Sequence, residues 1–262
     1  MRHNARVSGA PDGRPMVFAH GFGCDQTMWA RVAPQFEATH RVVLFDHVGA
    51  GGSDASAYRP QRYGSLTAYA RDALELLAEL DLRDAVFVGH SVSAMIGVLA
   101  ANLDAEGRIG ALVLVGPSPR YLDDPGGGYV GGFTREDIDG LLENMATDYL
   151  GWSSVMAPAI MGTPDQPELG DELTASFCRV DPDIARDFAR VTFLSDNRAD
   201  LSRVDRPTLI LQCRDDVIAP MAVGEHVRDQ IAGSRFTVLD AVGHCPHVSA
   251  PAATVAAIRE FA

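Results

Sequence analysis

Basic residues are scarce in this sequence: 22 arginines, with no lysine, face 35 aspartates and glutamates, for a net charge of -13 at pH 7. A surface this anionic repels nucleic acid and acidic membranes alike, which excludes both as partners. Long apolar runs are missing too, since no stretch approaches the roughly 18 residues that a membrane span needs. Residues 1–9 carry charge and polarity where a secretory leader would carry an apolar core. The expected location is the cytoplasm. Cysteines number only four, and Cys24, Cys178, Cys213 and Cys245 lack the close, regular spacing of a disulfide framework or a zinc site. Reduced thiols are expected. The neighbours Cys245 and His247 have no CxxC companion, so no metal is expected either. Neither GxGxxG nor GxxxxGK[ST] occurs, and with them goes the usual glycine-rich phosphate cradle.

What remains is an ordinary globular composition, 47% apolar and 22% charged, in a chain of 262 residues that one hydrophobic core can still serve. Continuous apolar runs of strand length lie at 16–19, 42–45, 85–88, 112–115, 208–211 and 236–239, as strands buried on both faces of a parallel sheet require. Helical patterns separate most of them. In 65–80, Leu66, Tyr69, Ala70, Ala73, Leu74 and Leu77 fall on one face and Arg71, Asp72, Glu75 and Glu79 on the other. Residues 92–103 are apolar nearly all round, which predicts a buried helix, and 221–231 and 254–261 supply two more. This alternation predicts a doubly wound, mainly parallel α/β sheet with right-handed crossovers. From 121 to 200 no strand pattern appears. Helical segments at 135–150, 151–161, 168–179 and 182–194, broken at Gly162, Pro164, Pro167 and Pro182, predict a helical cap inserted between core segments 1–120 and 201–262. Pro158 predicts a kink or an early stop within the second segment.

The most informative stretch is Val86-Phe87-Val88-Gly89-His90-Ser91-Val92-Ser93-Ala94, a buried strand that turns through a serine into a buried helix. A nucleophile presented on such a turn needs small residues two positions to either side, because larger ones meet neighbouring backbone. Gly89 and Ser93 meet that need, although the pattern is GxSxS rather than GxSxG. A serine hydroxyl is a poor nucleophile at neutral pH, so a histidine must take its proton and a carboxylate must orient that histidine. Two later loops, each after a strand, carry these groups: Gln212-Cys213-Arg214-Asp215-Asp216 and Gly243-His244-Cys245-Pro246-His247. Asp215 or Asp216 can be the acid, and His244 or His247 the base. Both loops open at the same sheet edge as Ser91. The oxyanion of an attacked carbonyl needs preorganised N–H donors, which Val92 and, from His20-Gly21-Phe22-Gly23, Phe22 can supply. Asp46 and His47, in another glycine-rich loop, are read as structural.

Taken in order, HGFGCDQTMW, DHVGAGGSD, GHSVSAM, GPSPRYL, the Gly131-Gly132-Phe133 turn, LQCRDDVIAP and GHCPHVSAP resemble one branch of the α/β-hydrolases. That branch includes the bacterial stress-response regulator RsbQ and the plant strigolactone and karrikin receptors. The likeness runs from Val7 onward, and GHSVSAM is similar to the plant receptors' own elbow. It implies Ser91, Asp216 and His244 as the triad and Phe22 and Val92 as the oxyanion donors. It also implies a four-helix, V-shaped lid over a deep apolar cavity lined by Phe133, Trp152, Met156, Phe177 and Phe193 as well as Phe22. The leading antiparallel strands are expected to be truncated. The function implied is cofactor-independent hydrolysis of a small hydrophobic ester or lactone. An RsbQ-like regulator that turns over a small ligand slowly and acts through a protein partner is the second reading; lyase, oxygenase or carbon–carbon hydrolase chemistry on the same scaffold is a third.

Overall fold

The computed structural model describes residues 2–262. Its sheet is entered through β1 (Arg6–Gly9), β2 (Arg14–Ala19) and β3 (His40–Phe45), followed by α1 (Leu66–Glu79), β4 (Ala85–His90), α2 (Val92–Leu103) and β5 (Ile109–Val115). Four helices come next: α3 (Arg135–Thr147), α4 (Tyr149–Met161), α5 (Pro167–Phe177) and α6 (Pro182–Phe193). The short α7 (Arg198–Leu201) leads into β6 (Thr208–Asp215), α8 (Met221–Gln230), β7 (Arg235–Val242), α9 (Pro246–Ser249) and α10 (Pro251–Phe261). The strand order is β1-β3-β2-β4-β5-β6-β7. Only β1 runs antiparallel to its neighbour; every other pairing is parallel. One exposed antiparallel strand is therefore what stands at this edge of the sheet.

Alternate side chains serve opposite faces of the strands. Val17, Phe87, Leu112 and Ile210 pack with α1, α2 and α8 on one side, while Met16, Phe18, Val86 and Val88 pack with Ile258 of α10 on the other. The central strand β4 is buried throughout. The last strand is not: β7 alternates exposed and buried residues toward its end, because an edge strand has only one covered face. Reading 236–239 as buried on both sides was wrong on that account. Both late strands also outrun their apolar runs, since Gln212 to Asp215 and Asp240 to Val242 continue the ladder.

Two further sequence readings need correction. Asp72, placed on the outer face of α1, is buried; its carboxylate accepts hydrogen bonds from Tyr63 Oη at 2.7 Å, from Arg2 at 2.8 Å and from Arg62. Leu76 also joins the inner face, and Leu74 packs half-buried at its margin. In the four helices between β5 and β6 the first break falls at Asp148, not between Leu150 and Gly151, because the Asp148 carboxylate accepts the Gly151 N–H at 2.9 Å and caps α4. Helix α4 then continues through Pro158 to Met161 and ends at Gly162, whose φ of 69° gives a left-handed cap.

Candidate active site

The turn between β4 and α2 is built from backbone that few residues tolerate. Ser91 has φ 56° and ψ -121°, a left-handed conformation that is strained for any residue with a side chain. Gly89 is required beside it, because a Cβ there would lie 2.3 Å from the Ser93 carbonyl oxygen. Gly21 approaches from the loop after β2; a Cβ on it would lie 2.6 Å from His90 Nδ1 and 3.4 Å from Ser91 Cβ. The strand carries Ser91 to the carboxyl edge of the sheet, and the late strands bring their loops to the same edge.

There the Ser91 hydroxyl donates to His244 Nε2 at 2.7 Å, and His244 Nδ1–H donates to Asp216 Oδ2 at 2.7 Å. The second Asp216 oxygen accepts the Ile218 and Ala219 N–H groups at 2.8 and 3.0 Å, which fixes the carboxylate plane. All three side chains are buried. Asp215 ends the β6 ladder with its side chain exposed, and it contributes only its carbonyl, which accepts the Gly243 N–H at 2.7 Å. His247 lies away from the serine. Its ring sits between Trp29 and His90, at centroid distances of 4.5 and 4.4 Å, and neither nitrogen has a partner. Burial without a partner pushes its pKa down to about 3, so it is a neutral core ring. His90 anchors the histidine loop instead, its Nε2–H donating to the His244 carbonyl at 2.8 Å.

Val92 opens α2, so its N–H has no partner within the helix. Phe22 sits in the loop opposite, its ring surrounded by Trp152, Phe177, Phe188 and Phe193 at centroid distances of 5.8 to 6.4 Å. Its position therefore depends on α4, α5 and α6 together. Polar contacts reinforce this: Ser176 Oγ donates to the Gly23 carbonyl at 3.1 Å, and Arg179 pairs with Asp25 at 2.7 Å. From α4, the Ile160 carbonyl accepts the His244 N–H at 2.8 Å.

Above Ser91 lies a small cavity whose walls are mainly apolar, with Phe22, Trp152, Met156, Phe177 and Phe193 among its lining. Its open space is about 30 Å³. Tyr149, Trp152 and Phe177 stack with interplanar angles of 19° and 7° and fill the room between α4 and α5. Phe133 does not reach this cavity. It lines an outer groove of about 850 Å³ between α3 and α4, which shares Leu141, Trp152 and Met156 with the inner space. The sequence reading missed Tyr121, Leu141, Ile160, Leu173 and Ile218 in the inner wall. Leu141 belongs to a helical stripe with Ile138 and Met145 that was legible as an inward face, whereas nothing local marked Tyr121. Cys24 and Cys245 also line the cavity; burial pushes both thiols well above their usual range, so they are unreactive walls. No group of three or more metal-ligating side chains occurs among the described residues. Among the described residues no helix is long and apolar enough to cross a membrane.

A mainly parallel sheet with a strained serine, a histidine and a carboxylate gathered at its carboxyl edge is the arrangement of an α/β hydrolase. The chain belongs to that family: the sequence profile described as "Alpha/beta hydrolase family" matches residues 16–258. Among curated relatives it is 39% identical over 249 residues to the strigolactone esterase RMS3 of Pisum sativum, covering 95% of this chain and 92% of that protein. It is 36% identical over 250 residues to the karrikin insensitive 2 receptor CA of Petunia hybrida, covering 95% and 91%. Among solved structures, a hydrolase from Oleispira antarctica superposes with a TM-score of 0.95 at 38% identity, over 99% of this chain and 94% of that one.

Proposed function

We propose that the protein hydrolyses a small, mainly hydrophobic ester or lactone through an acyl-enzyme on Ser91. The observation that carries this reading is the relay of two 2.7 Å hydrogen bonds from Ser91 through His244 to Asp216 beneath an apolar cavity. In the first half-reaction Ser91 Oγ attacks the carbonyl carbon while His244 Nε2 takes its proton. Asp216 holds the imidazolium that forms, and the N–H groups of Phe22 and Val92 receive the developing oxyanion. His244 then gives the proton to the departing alkoxide. Water, deprotonated by the same nitrogen, attacks the acyl carbon and releases the acid. Each step is served by side chains and backbone alone. Four free cysteines fit a reducing, cytoplasmic setting.

The reading is tested with p-nitrophenyl acetate and intact-mass spectrometry. Wild type should turn the ester over and carry a transient adduct of one acetyl group; Ser91→Ala should lose both, and His244→Ala nearly all turnover. An unchanged rate in Ser91→Ala overturns the mechanism. The name of the petunia relative favours a second reading, a receptor for a small ligand that acts through a protein partner. A single slow turnover together with a stoichiometric partner in a pull-down from host extract would select it. Fast multiple turnover without a bound protein selects the enzyme.

A further inference from the structure

The departure from GxSxG at Ser93 has a structural use that the proposed chemistry leaves unassigned. Ser93 is fully buried in the first turn of α2, two residues past Ser91. Its hydroxyl donates to the backbone carbonyl of His20 at 2.5 Å. A hydroxyl has one proton, so the 2.7 Å contact with His47 Nε2 is a bond that Ser93 accepts, and His47 is protonated on that nitrogen. The backbone N–H of His47 in turn donates to His20 Nε2 at 3.1 Å, and the other ring nitrogen of His20 faces the Gly21 carbonyl at 2.9 Å. These roles require a neutral His20 with its proton on Nδ1, and a His47 that carries a proton on Nε2. Burial holds both imidazoles below their usual pKa.

The bonds close a circuit through the ends of three elements, β2 at His20, β3 at His47 and α2 at Ser93. His20 lies two residues before Phe22, and Ser93 directly follows Val92. The hydroxyl therefore spans the two segments whose N–H groups must converge on one oxyanion. The His47 ring is itself held edge-on by Phe45 and Tyr69, at 5.2 and 5.7 Å, so it is a rigid donor. A glycine at position 93 would leave the buried His20 carbonyl and His47 Nε2 without the hydroxyl that now pairs them. We infer that Ser93, with His47 behind it, is a positioning residue that sets the separation of the Phe22 and Val92 oxyanion donors. This rests on the hydrolase reading above.

The test compares wild type with Ser93→Ala, His47→Leu and His47→Gln, the last of which keeps an N–H donor near the Nε2 position. Loss of one oxyanion donor costs about 100- to 1000-fold in kcat, so a displaced donor should cost about 10- to 100-fold. Ser93→Ala and His47→Leu should lower kcat for p-nitrophenyl acetate by that factor with KM within about 2-fold, and His47→Gln should recover most of the loss. Inhibition by butylboronic acid, whose tetrahedral adduct fills the oxyanion site, should weaken in step with kcat, a response that looser packing alone would not produce. A Ser93→Ala enzyme with wild-type kcat and boronate affinity overturns the inference while leaving the hydrolase reading intact. An inert wild type removes both. If Ser93→Ala fails to fold, the His47 pair decides: equal losses in His47→Leu and His47→Gln overturn the positioning role.

Discussion

Replacing His247 by phenylalanine should flatten the acid side of the stability profile. The ring is fully buried between Trp29 and His90, neither nitrogen has a partner, and its pKa is pushed down to about 3. In the unfolded chain the same imidazole titrates near 6.5. Between these values the unfolded state binds a proton that the folded state refuses, so stability rises with pH in this window. The stability is fully present above about pH 6.5 and is lost as pH falls toward the folded value. One such proton changes the free energy of unfolding by about 1.4 kcal/mol per pH unit, and going from pH 6.5 to 4.5 removes about 2 kcal/mol. Phenylalanine preserves the stacked ring and carries no proton. Urea unfolding at half-unit steps from pH 7.5 to 4.5 should show the variant gaining on wild type by about that amount over the acid range. At pH 7.5 it also spares two unpartnered buried nitrogens, each of which costs about 1–3 kcal/mol. Parallel profiles for the two proteins would refute the reasoning, since they would require position 247 to be protonated or solvated in the folded state. Labelling of Ser91 by a fluorophosphonate should persist in this variant and vanish in His244→Ala.

Two predictions concern the serine turn. Ser91→Gly should abolish acetyl-adduct formation yet raise the melting temperature by about 2–4 °C, because glycine adopts φ 56° without the roughly 1 kcal/mol of strain that serine carries; calorimetry of the variant checks this, and a lower melting temperature contradicts it. Gly89→Ala should yield little folded protein, since its methyl group would overlap the Ser93 carbonyl at 2.3 Å in fixed backbone. Soluble yield and a melt measure it, and a stable variant would show that the turn can shift.

The class of the fold and the serine turn were legible in the chain because both are local. Parallel strands announce themselves as unbroken apolar runs, and a turn that allows only small neighbours shows in Gly89 and Ser93. Asp72 defeated the same reading: helical spacing puts it outside, and only Arg2, Arg62 and Tyr63, drawn from other segments, make its burial tolerable. Periodicity records the average environment of a face and says nothing of distant partners.

Residue types and their order along the chain narrowed the chemistry to one serine, two aspartates and two histidines. Tertiary structure brings one aspartate and one histidine of these into a hydrogen-bonded chain with the serine. The β6 ladder runs on to Asp215 and turns its side chain to solvent, leaving Asp216 to face inward with two backbone donors on one oxygen. The Ile160 carbonyl of α4 grips the His244 N–H, whereas His247 is folded back against Trp29. Cavity size was likewise decided by how Tyr149, Trp152 and Phe177 stack across two helices. Local pattern can specify a strand, a turn and the groups on offer; which of those groups meet depends on loop lengths and side-chain packing summed over the whole fold.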